Sequence, residues 1–137
     1  MSKLNCIIIT PNKKVRNVEC DYIGATGVEG DFGILPLHAP FISELAPGVL
    51  FLRNQGKKDD PIGIVSGFLH VFEDKVTVIA DKVYEKSDIK KSADEYKNQY
   101  EKKKQALEKL EKSDSQYANV KAETDKLLTL LKLAAYK

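Results

Sequence analysis

No apolar run in the 137-residue sequence approaches the roughly 18 residues needed to span a bilayer. The apolar start, Leu4 to Ile9, is too short for the core of a secretion signal, and no small-residue cleavage pattern follows it. The expectation is a mature chain that starts at or near Met1 and stays in the cytoplasm. Cysteine is scarce as well. Cys6 and Cys20 lack CxxC spacing and have no His or Cys cluster beside them, so no zinc pattern forms. They read as two buried free thiols in a reducing compartment. Catalytic sets are also missing. His38 lies in a Pro-bounded loop and His70 between Phe68 and Phe72, without the positioned base and orienting third group that activate a nucleophile. Both read as structural histidines, and no metal site is expected.

One absence is regional. All eight Gly and all five Pro precede Asp88, so the last fifty residues hold no helix breaker. Charge divides at the same place. Residues 1–87 carry ten Lys/Arg against eleven Asp/Glu, whereas residues 88–137 carry twelve Lys, no Arg and nine Asp/Glu. The acids between the lysines, and the lack of Arg, argue against nucleic acid and for a solvated helical face.

Before the division the chain reads as short strands. Leu4 to Thr10 is β-branched and apolar and stops at Pro11-Asn12. Val18, Cys20 and Tyr22 alternate with Glu19 and Asp21, the period of one half-buried strand. Val49 to Arg53, Ile62 to Ser66, Phe68 to Phe72 and Val76 to Ala80 follow, with Glu73-Asp74 as a tight turn and Val83-Tyr84 beyond. Such spacing without intervening helices predicts an antiparallel all-β sandwich of about ten short strands over residues 1–86.

Residues 87–137 predict an antiparallel two-helix hairpin. Ser87 or Asp88 is the expected N-cap, and Ile89, Ala93, Tyr96, Tyr100, Leu107 and Leu110 make a stripe broken by Lys103 and Lys104. After a turn at Ser113 to Gln116, Val120, Thr124, Leu127, Leu131 and Ala134 line one face of the second helix, with Leu128, Leu130 and Ala135 widening it. Two helices of this length bury little against each other. The hairpin is therefore expected to sit on the β-domain through a few contacts and to be capable of detaching.

Residues 27–40 are the most distinctive stretch. Gly27, Gly30 and Gly33 suggest a phosphate loop, but no Lys-Ser/Thr, helix or βαβ unit follows, so that reading fails. A tight irregular loop is expected instead, with Asp31 and Phe32 exposed at its tip as binding residues.

The pattern GxxGxxGIxPxHAP, formed by Gly27, Gly30, Gly33, Ile34, Pro36, His38, Ala39 and Pro40, resembles the signature of epsilon subunits of bacterial F-type ATP synthases. Leu45, Pro47 and Gly48 follow at the next turn of that family. Ser66-Gly67-Phe68-Leu69 is similar to its SGGxL element, with Phe68 replacing the second glycine. Val76 to Asp81 and the helical end around Asp114 and Tyr117-Ala118 are also similar, so the resemblance spans the chain in order.

The resemblance implies a central-stalk role coupling ring rotation to the catalytic head, without catalysis by this chain. It implies that Glu29, Gly30, Asp31 and Phe32 reach the polar loops of the c-ring, and that His38, Ala39, Pro40 and Ser43 lie near the gamma subunit. It also implies an arm that extends toward the alpha and beta subunits and restrains ATP hydrolysis. Lys102, Lys103, Lys104, Lys109, Lys121 and Lys126 are the candidate arm contacts. Placement would be peripheral, on the cytoplasmic face of the bacterial inner membrane, with no direct insertion into the bilayer. Some relatives bind ATP through I/L-D-x-x-R-A at the start of the first helix. Here the run is Ile89-Lys90-Lys91-Ser92-Ala93-Asp94, with Lys90 and Ala93 in the Asp and Arg positions, so no cofactor is expected by that route. The rival readings are a free-standing scaffold or chaperone-like β-domain with a helical arm, a nucleic-acid binder and a small enzyme. The polar tip of the arm, its interleaved acids and the missing catalytic set count against each in turn.

Overall fold

The computed structural model describes residues 3–11 and 13–136. Ten strands come first: β1 (Leu4–Thr10), β2 (Lys13–Cys20), β3 (Tyr22–Gly27), β4 (Gly30–Ile34), β5 (Phe41–Leu45), β6 (Gly48–Arg53), β7 (Asp60–Ile64), β8 (Gly67–Phe72), β9 (Lys75–Ala80) and β10 (Val83–Glu85). A single 3-10 turn, Lys86–Asp88, then leads to α1 (Ala93–Glu108) and α2 (Tyr117–Ala135). The fold is the β-sandwich followed by two helices that the sequence predicts.

The strands make two layers. One runs β10-β7-β6-β3 with β4 beyond β3, and the other runs β5-β8-β9-β1-β2. The layers join where Gly27 of β3 pairs with Leu45 of β5. Among the described residues every pairing is antiparallel except one: β1 lies parallel to β9, Asn5 opposite Lys75. Alternation sends Leu4, Cys6, Ile8, Leu69, Val71, Val76 and Val78 inward from one layer. Ile23, Leu50, Leu52, Ile62 and Ile64 meet them from the other. Each such side chain contributes about 1.5–3 kcal/mol when fully buried, so this core carries the fold. The thiols of Cys6 and Cys20 lie within it, and burial pushes them up from 9.0 to about 12 and about 11.

One strand expectation changes in detail. The alternation from Val18 to Tyr22 is not one strand, because the chain turns a corner at Asp21 between β2 and β3. Asp21 fixes that corner, pairing with Lys3 at 2.8 Å and accepting the Gln55 amide at 2.7 Å. The Glu73-Asp74 turn forms as expected, with φ of 48° and 63°. At the opposite side, Arg16 of β2 pairs with Asp60 of β7 and, at 2.7 Å, with Glu85 of β10. One guanidinium thus ties an edge of one layer to an edge of the other.

The helices depart further from expectation. The N-cap of α1 is Ser92, whose Oγ accepts the Glu95 amide at 3.2 Å, and not Ser87 or Asp88. Asp88 instead accepts the Glu85 amide at 2.8 Å and closes the 3-10 turn. In α1 only Tyr96 is buried. In α2 the buried residues are Thr124, Thr129, Leu130 and Leu133; Thr124 and Leu130 belong to the expected face, whereas Thr129 and Leu133 do not. The physical reason is that α2 serves two surfaces, α1 on one side and β6 and β7 on the other. Its seat is Gly63 of β7, where a Cβ would come within 2.9 Å of the Thr129 methyl and 3.2 Å of Leu133. The Thr129 hydroxyl donates to the Ile64 carbonyl at 3.2 Å.

Candidate functional site

Each layer has an outer face as well as an inner one, and the two outer faces differ. The outer face of the β6–β7 layer is covered by α2. The outer face of β5, β8, β9 and β1 has no cover in the described chain, yet it is rich in apolar side chains. Ile42 is 67 % exposed, Ile79 58 %, Phe68 52 % and Phe72 50 %. Register explains the grouping. Phe68 pairs with Ile79 and Ile79 with Ile9, so three large apolar residues form one row across three strands. Ile42 opposite His70 begins the adjacent row. A sheet face that water solvates normally carries polar residues in this phase, so an apolar row here marks an interaction surface.

The stretch from Gly27 to Ile34 is not an irregular loop; only residues 35–40 are irregular. Gly27 to Ile34 lie in a β-hairpin, β3 paired to β4, with Val28 and Glu29 as the turn and Gly27 opposite Gly30. Gly30, at φ 127°, takes the backbone conformation that a side chain disfavours. Glu29, Gly30 and Asp31 are exposed, but Phe32 is not at the tip. It pairs with Ala25 in the inward phase, and its ring meets Phe41 edge-on at 5.2 Å. The strand period of two places Phe32 inside, where the glycine period of three had suggested exposure. The turn is tied to the second layer by the Val28 amide, which donates to the Glu44 carbonyl at 3.1 Å.

Beyond β4 the chain crosses to β5 through residues 35–40. Leu37 is 82 % exposed and holds φ 67°, an uncommon conformation for leucine. Its amide donates to Asp74 Oδ1 at 2.6 Å, which pins the crossing against the β8–β9 turn. His38 is half-buried, with Nδ1 2.7 Å from the Ala39 carbonyl and its ring 5.6 Å from Phe41. Ala39 and Pro40 are exposed. Ser43 takes the inner phase of β5, and Ile42 and Glu44 take the outer one. Ile42, Phe68 and Ile79 were missed as site residues. Their signal was present: β8 is apolar in both phases, when one would suffice for the core.

On the arm, Lys103 pairs with Glu123 at 2.6 Å and Lys121 with Asp125 at 3.0 Å. Lys102, Lys104, Lys109 and Lys126 are exposed. A cavity of about 590 Å³ lies between β10 and the two helices, with Tyr84, Lys90, Tyr96 and Lys126 among its lining residues. Lys90 thus faces it, while Ala93 starts α1. Among the described residues no group of three His, Cys, Asp or Glu is placed to hold a metal ion, and no helix is long and apolar enough to cross a membrane.

Residues 3–86 match the family model described as ATP synthase, Delta/Epsilon chain, beta-sandwich domain. The chain is similar to the ATP synthase epsilon chain of Nitratidesulfovibrio vulgaris strain DP4, 43 % identical over 86 residues that cover 63 % of each chain. It is also similar to that of Maridesulfovibrio salexigens, 44 % identical over 80 residues, 58 % of this chain and 56 % of the relative. These matches thus span less than two thirds of the relatives' length. The fold resembles a chain in the cryo-EM structure of the Euglena gracilis mitochondrial ATP synthase OSCP/F1/c-ring assembly. The TM-score is 0.75 at 19 % identity, covering 98 % of this chain and 82 % of that one. It also resembles a chain of the Tetrahymena thermophila mitochondrial ATP synthase central stalk and c-ring, at TM-score 0.61 and 16 % identity, covering 96 % and 97 %.

Proposed function

Because the chain belongs to the ATP synthase delta/epsilon chain family through its β-sandwich, we propose that it is a non-catalytic central-stalk subunit of a proton-translocating F-type ATP synthase. The observation that carries this reading is the apolar row Phe68, Ile79 and Ile9 with Ile42 beside it, on an outer sheet face with no cover in the described chain. A part that transmits torque needs a rigid body and a dry contact to its neighbour, and a packed sandwich with such a face supplies both. The neighbour is the gamma subunit. His38, Ala39 and Pro40 border that contact, and Ile42 takes the place of Ser43, whose side chain points into the domain.

The β3–β4 turn supplies the second contact. Glu29, Gly30 and Asp31 meet the polar loops of the c-ring, and Phe32 acts from within by bracing the hairpin against Phe41. Association is peripheral, on the cytoplasmic face of the bacterial inner membrane. The arm restrains ATP hydrolysis by reaching the alpha and beta subunits. Lys102, Lys104, Lys109 and Lys126 are the lysines to test first, since Lys103 and Lys121 are already paired within the arm. Nucleotide is not held by the family motif, because Lys90 and Ala93 lack the Asp and Arg groups. Calorimetric titration with ATP tests that point, and micromolar affinity would refute it.

Co-purification with gamma tests the main reading. The double change Phe68→Glu with Ile79→Glu lies on an exposed face, so folding is retained while gamma binding falls about tenfold or more. Unchanged capture of gamma would overturn the proposal. Deleting residues 88–137 is expected to raise hydrolysis by the assembled enzyme; an unchanged rate would remove the arm from the regulatory account.

A further inference from the structure

The arm touches the sandwich along α2, but its polar fastenings gather at one end. The Tyr136 hydroxyl donates to Asp59 Oδ2 at 2.7 Å. Asp59 is itself gripped by Arg53, whose Nε and Nη2 donate to its two oxygens at 2.8 and 2.9 Å. The Arg53 guanidinium lies 5.4 Å from the centre of the Tyr22 ring and 5.0 Å from that of Phe51, and the Tyr136 ring lies 5.7 Å from Phe51. A cation, two rings of the sheet and the terminal ring of the arm thus share one ledge. Lys132, one turn earlier, donates to the Pro47 carbonyl at 3.1 Å.

The root of the arm meets the same point. Lys86, the first residue after β10, donates from Nζ to the Tyr136 carbonyl. The arm leaves the sandwich at Lys86, runs out along α1, turns at residues 109–116 and returns along α2 to Tyr136. Its beginning and its end are therefore clasped together, and the far turn bears no comparable tie. Residues 109–116 are mostly exposed.

We propose that Tyr136, Asp59 and Arg53 form the latch that keeps the arm docked. Opening begins at the 109–116 turn and becomes complete only when Tyr136 leaves Asp59. A chain that keeps this latch has a docked arm even when the far turn frays; a chain without it has α2 held by the packing of Leu130, Leu133 and Thr129, the Phe51 ring contact and the Lys132 and Lys86 bonds. Arg53 holds Asp59 well below the usual carboxylate range, at about 2, with Tyr136 adding to the effect, so the acceptor stays charged near neutral pH. The latch rests on contacts within this chain; only its use in regulation rests on the rotor-stalk reading.

The test is amide hydrogen exchange on the intact chain, comparing Tyr136→Phe, Asp59→Asn and the double variant. Tyr136→Phe keeps the ring on Phe51 and removes only the hydroxyl. Amides of 117–135 are expected to exchange about fivefold faster or more in each single variant. The double variant is expected to be no faster than the faster single, since one bond is removed twice. Amides of β1 and β9 should not change. Unchanged α2 exchange, full additivity, or equal acceleration in β1 and β9 would each overturn the latch. Hydrolysis by the assembled enzyme reads the other premise separately: looser α2 with unaltered hydrolysis keeps the latch and refutes its regulatory use.

Discussion

The sandwich and the arm use similar side chains to different ends. In the sandwich seventeen buried residues from strands of both layers pack on one another. In the arm α1 buries Tyr96 and α2 buries four residues, two of them threonines. The sandwich therefore stands on collective packing, and the arm stands on an address: the Gly63 seat and the Tyr136 clasp. A body held by many equivalent contacts resists partial opening, whereas a helix pair held at a few named points can leave without disturbing the rest.

The strongest way to break this comparison is inside the core. Leu69→Ala, at a fully buried position, should lower global stability by about 2–5 kcal/mol in urea unfolding, with both regions melting together. Leu133→Ala removes an equally buried side chain from the arm and should cost about 2 kcal/mol locally. There the α2 amides exchange faster while the urea midpoint of the sandwich holds; a midpoint shift matching that of Leu69→Ala would show that the regions are one unit.

The two regions should also differ with pH. The sandwich core weakens only in alkali, through its thiols. The clasp weakens in acid at Asp59 and again in strong alkali, where the Tyr136 hydroxyl, raised from 10.0 to about 12 by burial and then by Asp59, loses its proton. The Cys6 thiol is raised from 9.0 to about 12 by burial. Its neutral form is the folded form, so its contribution is complete below pH 9 and is lost as pH rises toward 12. Asp59 is lowered from 3.8 to about 2, chiefly by Arg53 and then by Tyr136. Its contribution is present above pH 4 and is lost as pH falls toward 2. Exchange followed across pH should show the arm loosening first in acid and Cys6→Ala blunting the alkaline loss in the sandwich. The smallest effect belongs to the arm surface. Lys103→Ala breaks an exposed pair with Glu123 and should change stability by about 0.5 kcal/mol or less by thermal melting.

What the sequence discloses follows the range of the interactions involved. Strand period, the Glu73-Asp74 turn and the loss of Gly and Pro after residue 87 are local signals, and the sandwich and hairpin follow from them. Ser92 caps α1 in place of the expected Ser87 or Asp88, although all three carry a side-chain acceptor. Only the 3-10 turn decides among them. Half of the buried face of α2, Thr129 and Leu133, was hidden for a different reason. Its register answers to β7, where the missing side chain at Gly63 admits Thr129 and Leu133, and no helical periodicity records that. The candidate surface was half legible: the loop signature pointed to the β3–β4 turn, but the period-three glycines concealed that Phe32 faces inward. The apolar row through Phe68 and Ile79 needed the strand register before its members became neighbours.

The parallel pairing of β1 with β9 sets an order of assembly. Asn5 finds its partner at Lys75, about seventy residues later, so the first strand made waits for nearly the last. Contacts within the arm, by contrast, are between neighbouring helices at the end of the chain. During synthesis from the N-terminus the closing strand leaves the ribosome before α1 and α2 do. The ribosome thus delivers a finished seat first, and the helices that rest on it arrive with their landing place already built.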